Sequence, residues 1–144
     1  MLTVAEIMTP NPITIRRDTP LSAVIGLMKS HRCRQLPVVD EGRLVGIVTD
    51  RDIRLAMNSP LILHDRSDDQ TLLAFTTAEA CMTSDPMTVE PGTPAAQAAL
   101  VLKTYKFGAL PVVHEGRLVG IVTVSDILDS YISLLSAQEK EVCP

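Results

Sequence analysis

The chain has 144 residues, 46% of them hydrophobic and 21% charged, which supports a packed core in one ordinary domain or two small ones sharing a core. Its net charge of −4 and pI near 5.3 argue against a broadly basic surface for nucleic acid, leaving one local basic patch at His31, Arg32 and Arg34. Aromatic residues make up only 3% and tryptophan is absent, so the core must be built from Val, Ile, Leu, Ala and Met.

In chain order, MLTVAEIMTPNP has no basic region followed by an apolar stretch, so no secretory signal is expected. Pro12 to Ile15 reads as a short extended piece, because Pro10 and Pro12 disfavour helix. Thr19-Pro20 then starts a helix, with Thr19 as N-cap and Pro20 at the first helical position. Leu21, Val24, Ile25 and Met28 give that helix one apolar stripe. Next comes LPVVDEGRLVGIVT, two β-branched runs around Glu41-Gly42, which predicts an antiparallel hairpin with Gly42 at positive φ. The runs are nearly continuous, so both sheet faces should be covered. After Thr49 the spacing turns helical through Ile53, Leu55, Ala56 and Met57. Residues 58–76, polar around HDRSDDQ, predict a surface excursion with a short helix through Leu72 to Phe75.

The same order then returns. Met82-Thr83 follows Met8-Thr9 by 74 residues, and the same offset carries Pro12 to Pro86, Thr19-Pro20 to Thr93-Pro94 and Asp52 to Asp126. Ala5-Glu6 matches Ala78-Glu79 at an offset of 73, which predicts one inserted residue before Met82. The helix after Pro94, with Ala98 to Leu102 apolar nearly all round, should be more buried than its counterpart. A second hairpin, LPVVHEGRLVGIVT, turns at Gly116, and Ile127, Leu128, Tyr131, Ile132, Leu134 and Leu135 lie on the last helix. The division expected is a first unit over 1–57, a connecting excursion over 58–76, a second unit over 77–136 and a flexible tail over 137–144. Each unit reads β-α-β-β-α, and a period this long used twice is two supersecondary units closing a core rather than a solenoid.

The candidate chemistry sits where the second hairpin strand runs into a helix. Thr49-Asp50-Arg51-Asp52 and Thr123-Val124-Ser125-Asp126 each place a hydroxyl and a carboxylate beside unpaired helical N–H groups. Such a place suits phosphate, and its carboxylate can accept both hydrogen bonds of a ribose diol. The same Thr-x-x-Asp spacing is also a variant of the capping box, and for the motif in isolation capping is the better reading.

Taken together, MTPNPITI and MTSDPMTV, the Thr-Pro helix starts, the two LPVV…EGRLVGIVT hairpins and the closing Asp-Ile pairs resemble a tandem pair of CBS domains (cystathionine-β-synthase-type domains), together called a Bateman module. The resemblance covers residues 4 to 135. It implies an α/β (α+β) fold of two β-α-β-β-α units packed about a pseudo-twofold axis, with two clefts for adenosyl compounds such as AMP, ADP, ATP or S-adenosylmethionine. One cleft would combine Thr123, Ser125 and Asp126 with Ile13 and the stretch Cys33-Arg34-Gln35. The other would combine Thr49, Arg51 and Asp52 with Met87 and the stretch Phe107-Gly108-Ala109. Asp52 and Asp126 would hold ribose hydroxyls, Thr49 and Thr123 ribose or phosphate, Ile13 and Met87 the adenine, and Arg34 and Arg51 phosphate. Arg51 against Ser125 would give the two sites different phosphate environments.

The function implied is a regulatory module without an obligatory cofactor that senses its ligand and modulates an unidentified partner or its own homodimer. A structural dimerisation module with empty clefts is the alternative. Catalysis is not expected, since no nucleophile–base pair is visible. His31, His64 and His114 are scattered without ligand spacing, so no metal is expected. Cys33, Cys81 and Cys143 lack CxxC spacing and suit reduced thiols in a cytoplasmic protein; Cys33 could sense oxidation or be a small hydrophobe. No segment reaches the roughly 18 apolar residues that span a membrane. The Ile127–Leu135 stripe has equal claims as core and as dimer interface.

Overall fold

The computed structural model describes residues 1–57 and 66–142. The elements are α1 (Val4–Ile7), β1 (Thr9–Pro10), α2 (Leu21–His31), β2 (Gln35–Asp40), β3 (Arg43–Thr49), α3 (Asp50–Met57) and α4 (Arg66–Phe75), then α5 (Ala78–Cys81), β4 (Thr83–Ser84), α6 (Ala95–Tyr105), β5 (Ala109–His114), β6 (Arg117–Thr123) and α7 (Val124–Val142). In both repeats the extended piece before the first long helix is a single parallel bridge, Ile15 to Val38 and Val89 to Val112.

Both hairpins turn as predicted. Glu41 and Gly42 have φ of 51° and 79°, and Glu115 and Gly116 repeat those values. Two successive positive φ angles make a type I′ turn, whose twist matches that of the flanking strands. The other left-handed non-glycine residues also recur at the offset of 74: Asn11 with Asp85, and Arg32 with Lys106. Arg32 and Lys106 are helix C-caps, where the left-handed backbone ends α2 and α6.

The chain folds as two compact units, each drawing on both repeats. One, the Pro12 unit, comprises Pro12–Pro86 and Gly116–Leu118; the other, the Met87 unit, comprises Met1–Asn11, Met87–Glu115 and Val119–Pro144. In the Pro12 unit β2 and β3 form the hairpin, from Gln35↔Thr49 to Asp40↔Arg43, with an irregularity between Val38 and Val39. On the other side of β3 lies β4, with Gly46↔Ser84 and Ile47↔Thr83 antiparallel. The core gathers Ile15, Leu21, Val24, Leu36, Val38 and Val48. In the Met87 unit β5 pairs with β6, and β1 pairs antiparallel with β6 through Thr9↔Ile121 and Pro10↔Gly120. Its core gathers Val4, Ala98, Leu102, Leu110, Val112 and Val122.

Backbone hydrogen bonds explain why each leading helix belongs to the unit holding the other repeat's main elements. The Val4 and Ala5 amides donate to the Thr93 and Pro91 carbonyls at 2.8 and 2.9 Å. The Ala78 and Glu79 amides donate to the Thr19 and Arg17 carbonyls at 2.8 and 3.0 Å. These four bonds obey the offset of 74, so no residue is inserted before Met82. Ala78 takes the buried place of Val4, and the apparent shift to 73 reflects a chance Ala-Glu identity. Alpha-1 also carries a capping box, Thr3 with Glu6, which the Thr-x-x-Glu spacing contains.

Three further expectations change. Pro20 and Pro94 are the N-caps and the helices start one residue later; the Thr19 and Thr93 hydroxyls instead accept the Arg16 and Glu90 amides, at 3.0 and 3.1 Å, inside the preceding turn. Helix α6 buries one stripe, Ala95, Ala98 and Leu102, and leaves Leu100 61% exposed, so it is no more enclosed than α2 with Leu21, Val24 and Met28. Helix α7 runs on past Ser136 to Val142. The short helix expected through Leu72 to Phe75 begins upstream at Arg66, while residues 58–65, with His64, and the terminal Cys143 and Pro144 lie outside the described residues.

Glycine permits the edge pairings. A Cβ on Gly46 would stand 2.5 Å from the Met82 sulfur and 3.0 Å from the Thr83 carbonyl oxygen. A Cβ on Gly120 would collide with the Met8 sulfur and stand 3.1 Å from the Thr9 carbonyl oxygen. The repeated Met-Thr therefore pairs with the glycine of each Val-Gly-Ile-Val: thioether and backbone lie where a side chain would be.

Candidate functional site

At the end of β3, the Thr49 amide donates to Asp52 Oδ2 at 3.0 Å and the Asp52 amide donates to Thr49 Oγ1 at 3.1 Å. At the end of β6, the Thr123 amide donates to Asp126 Oδ2 at 2.9 Å and the Asp126 amide donates to Thr123 Oγ1 at 3.1 Å. Each is a complete reciprocal capping box, so the bland reading of Thr-x-x-Asp is realised twice. Capping does not exhaust the carboxylates. One amide takes one of about four lone-pair sites on each group, and both aspartates are only half-buried. Each box thus holds a carboxylate in a fixed orientation at a helix N-terminus with acceptor capacity left over.

Within the Pro12 unit the backbone of Arg34 and Gln35 adjoins the Thr49 box. Gln35 pairs with Thr49 in the hairpin register, and the Asp50 amide donates to the Arg34 carbonyl at 2.9 Å. Arg34 and Arg51 are exposed, Gln35 is half-buried, and half-buried Ile13 and Cys33 pack against the core. Burial pushes the Cys33 thiol pKa up, against a smaller downward pull from a backbone hydrogen bond, a direction that disfavours the reactive thiolate. Burial first, and then the Asp52 charge, push the Cys81 thiol up.

In the Met87 unit the Val124 amide donates to the Gly108 carbonyl at 3.1 Å, which ties the Phe107-Gly108-Ala109 stretch to the Thr123 box. Ala109 is buried at the start of β5, whereas Met87, Gly108 and Ser125 are exposed. Phe107 is exposed and stacks on Tyr105, with ring centroids 5.5 Å apart and planes 13° apart. Sequence reasoning passed over Thr9, whose hydroxyl donates to Asp126 Oδ1 at 3.5 Å; the repeated Met-Thr was the available signal. It also passed over a groove of about 460 Å³ beside Asp126, bounded by Glu6 and Ile7 of α1 and by Asp129 and Ser133 of α7.

Among the described residues no group of His, Cys, Asp and Glu is placed to hold a metal ion, and no helix is long and apolar enough to cross a membrane. On α7, Leu128, Tyr131, Ile132 and Leu135 are 53%, 57%, 58% and 42% exposed. Their i, i+3, i+4, i+7 spacing puts them on one stripe, so that stripe is not core.

Comparison with known proteins places these motifs. The profile of the CBS domain matches residues 4–59 and again residues 78–133. A CBS domain-containing protein of Dictyostelium discoideum is 37% identical over 134 residues, covering 92% of each chain. The crystal structure of CBSX2 in complex with AMP, a CBS-pair protein of Arabidopsis thaliana, superposes with a TM-score of 0.77 at 30% identity, covering 93% of this chain and 98% of that one. The CBS domain pair of protein MJ0100, solved with 5′-methylthioadenosine and S-adenosyl-L-methionine, superposes with a TM-score of 0.75 at 29% identity, covering 92% and 98%.

Proposed function

Because the chain belongs to the CBS-domain family and carries two of its domains in tandem, we propose that it is a regulatory module that binds an adenosyl nucleotide and has no catalytic step of its own. The observation that carries this reading is the pair of preset carboxylates at the ends of β3 and β6. Asp52 and Asp126 hold the ribose diols, and the Thr49 and Thr123 hydroxyls and helix N-termini face the ribose–phosphate portion. Arg34 and Arg51 neutralise phosphate, Ile13 and Met87 flank adenine, and Cys33, Gln35, Phe107, Gly108, Ala109 and Ser125 complete the binding walls. The ligand class is AMP, ADP, ATP or S-adenosylmethionine, and the complexes of CBSX2 with AMP and of MJ0100 with S-adenosyl-L-methionine support it.

Thermal denaturation of the purified protein with each of these compounds tests the reading. A ligand present at about 100 times its dissociation constant should add about 2.7 kcal/mol to stability, a clear rise in melting temperature. No rise with any of the four compounds rejects it.

A second reading, dimerisation as the function, is favoured by the exposed α7 stripe and by the fact that Thr49, Asp52, Thr123 and Asp126 already have structural partners. The stripe has the form of a helix-packing seam and serves a homodimer in either reading. Light scattering on size-fractionated protein should give twice the chain mass, falling to one chain mass for Leu128→Asp/Tyr131→Asp. A monomeric parent protein rejects the homodimer.

A further inference from the structure

The two Glu-Gly-Arg turns retain one residue that ribose and cap chemistry leave unused. Arg43 and Arg117 stand 74 residues apart and face each other across an antiparallel bridge within the Pro12 unit. Like charges directly opposite one another in a sheet destabilise it, yet both are arginine. Each guanidinium is seated over the turn glycine of the opposite hairpin. Arg117 Nη1 occupies the space that a Cβ on Gly42 would need, and Arg43 Nη1 lies 2.8 Å from where a Cβ on Gly116 would stand. Any larger residue in either turn would displace the guanidinium resting there.

Neither arginine has a charged or hydrogen-bonding side-chain partner among the described residues. The contrast is with Arg17, which pairs with Asp40 and Glu79, and Arg54, which pairs with Asp50. Two exposed guanidinium groups are thus seated on facing turns, with no anionic side chain paired to either among the described residues.

We propose that Arg43 and Arg117 form a two-guanidinium clamp for a phosphate-class oxyanion, either the free ion or the end of a polyphosphate chain. A tetrahedral dianion matches the summed charge of the pair. It can also offer separate oxygen edges to two planar donor forks, which a lysine pair would engage only as point charges. Anion binding turns the like-charge repulsion across the bridge into a shared attraction. The clamp uses none of the residues of the Asp52 and Asp126 boxes, so it does not depend on the adenosyl reading.

The test is thermal denaturation in orthophosphate, in tripolyphosphate and in sodium chloride of matched ionic strength, which removes general screening. A saturable rise with orthophosphate above the chloride control is expected if the free ion is the ligand. A rise confined to tripolyphosphate assigns the chain end. Arg43→Gln and Arg117→Gln should each weaken the apparent affinity about tenfold or more, while Asp52→Asn/Asp126→Asn leaves it unchanged. Responses to both phosphates that equal chloride, or that persist undiminished in Arg43→Gln/Arg117→Gln, overturn the clamp. Loss of nucleotide binding with the phosphate response retained would instead strike only at the adenosyl reading.

Discussion

Asp52→Asn and Asp126→Asn proteins should melt close to the parent temperature and yet each lose about ten- to hundredfold in nucleotide affinity at one site. The two effects separate because the carboxylate has two tasks. In the cap it needs only an acceptor oxygen 2.9–3.0 Å from the Thr49 or Thr123 amide, and an asparagine carbonyl supplies one. Toward a ribose diol it must accept two hydrogen bonds as an anion. Asparagine has one acceptor oxygen and no charge, and hydrogen bonds to charged groups contribute about 1.5–3 kcal/mol each. Alanine at either position should lose both functions, with a stability cost of about 0.5–2 kcal/mol for the missing cap. Calorimetric titration with the compound giving the largest thermal shift, beside circular-dichroism melting, reads both. Asparagine variants that bind as tightly as the parent would leave capping as the whole role of these residues.

Gly46→Ala and Gly120→Ala should each cost about 1–3 kcal/mol, as overpacking does where neighbours cannot yield. The new methyl would meet a methionine sulfur that can move and a strand carbonyl at 3.0–3.1 Å that cannot move without disturbing the pairing of β4 with β3 or β1 with β6. A double-mutant cycle isolates the movable part. Gly46→Ala/Met82→Ala should be less destabilised than the two single changes added together, since truncating Met82 removes the sulfur contact. Gly26→Ala is the control: Gly26 is exposed in α2 with nothing within 4 Å of its would-be Cβ, so alanine should stabilise by about 0.5–1 kcal/mol. A harmless Gly46→Ala, or strict additivity with Met82→Ala, would remove the close approach as an explanation for the repeated Met-Thr.

Much of the fold was legible where local chemistry decides it. Glu-Gly between β-branched runs has few alternatives to a type I′ hairpin, and Leu21, Val24 and Met28 could face only one way on a helix. At the candidate site the two capping boxes were legible from their Thr-x-x-Asp spacing, but contacts between distant segments were not. Thr49 and Asp52 were singled out, whereas the Thr9 hydroxyl on Asp126 spans 117 positions and has no local pattern. The misplaced insertion before Met82 came from matching letters. Hydrogen bonds from Ala78 to Thr19 and from Val4 to Thr93 show that position is kept while side-chain identity drifts. The α6 helix misled because apolar composition does not measure enclosure, and Leu100 faces out.

The sequence by itself determined the duplication, its period of 74 residues, the β-α-β-β-α order and the two Thr-x-x-Asp boxes, because turns, amphipathic stripes and caps are set by residues a few positions apart. Tertiary structure alone decided that α1 and β1 join the elements of the second repeat while α5 and β4 join those of the first. That exchange depends on backbone hydrogen bonds and on glycines thin enough to admit Met8 and Met82, and backbone groups are the same in every residue. It likewise decided that Arg43 and Arg117 meet, since strand register between distant segments follows from the packing of the whole sheet.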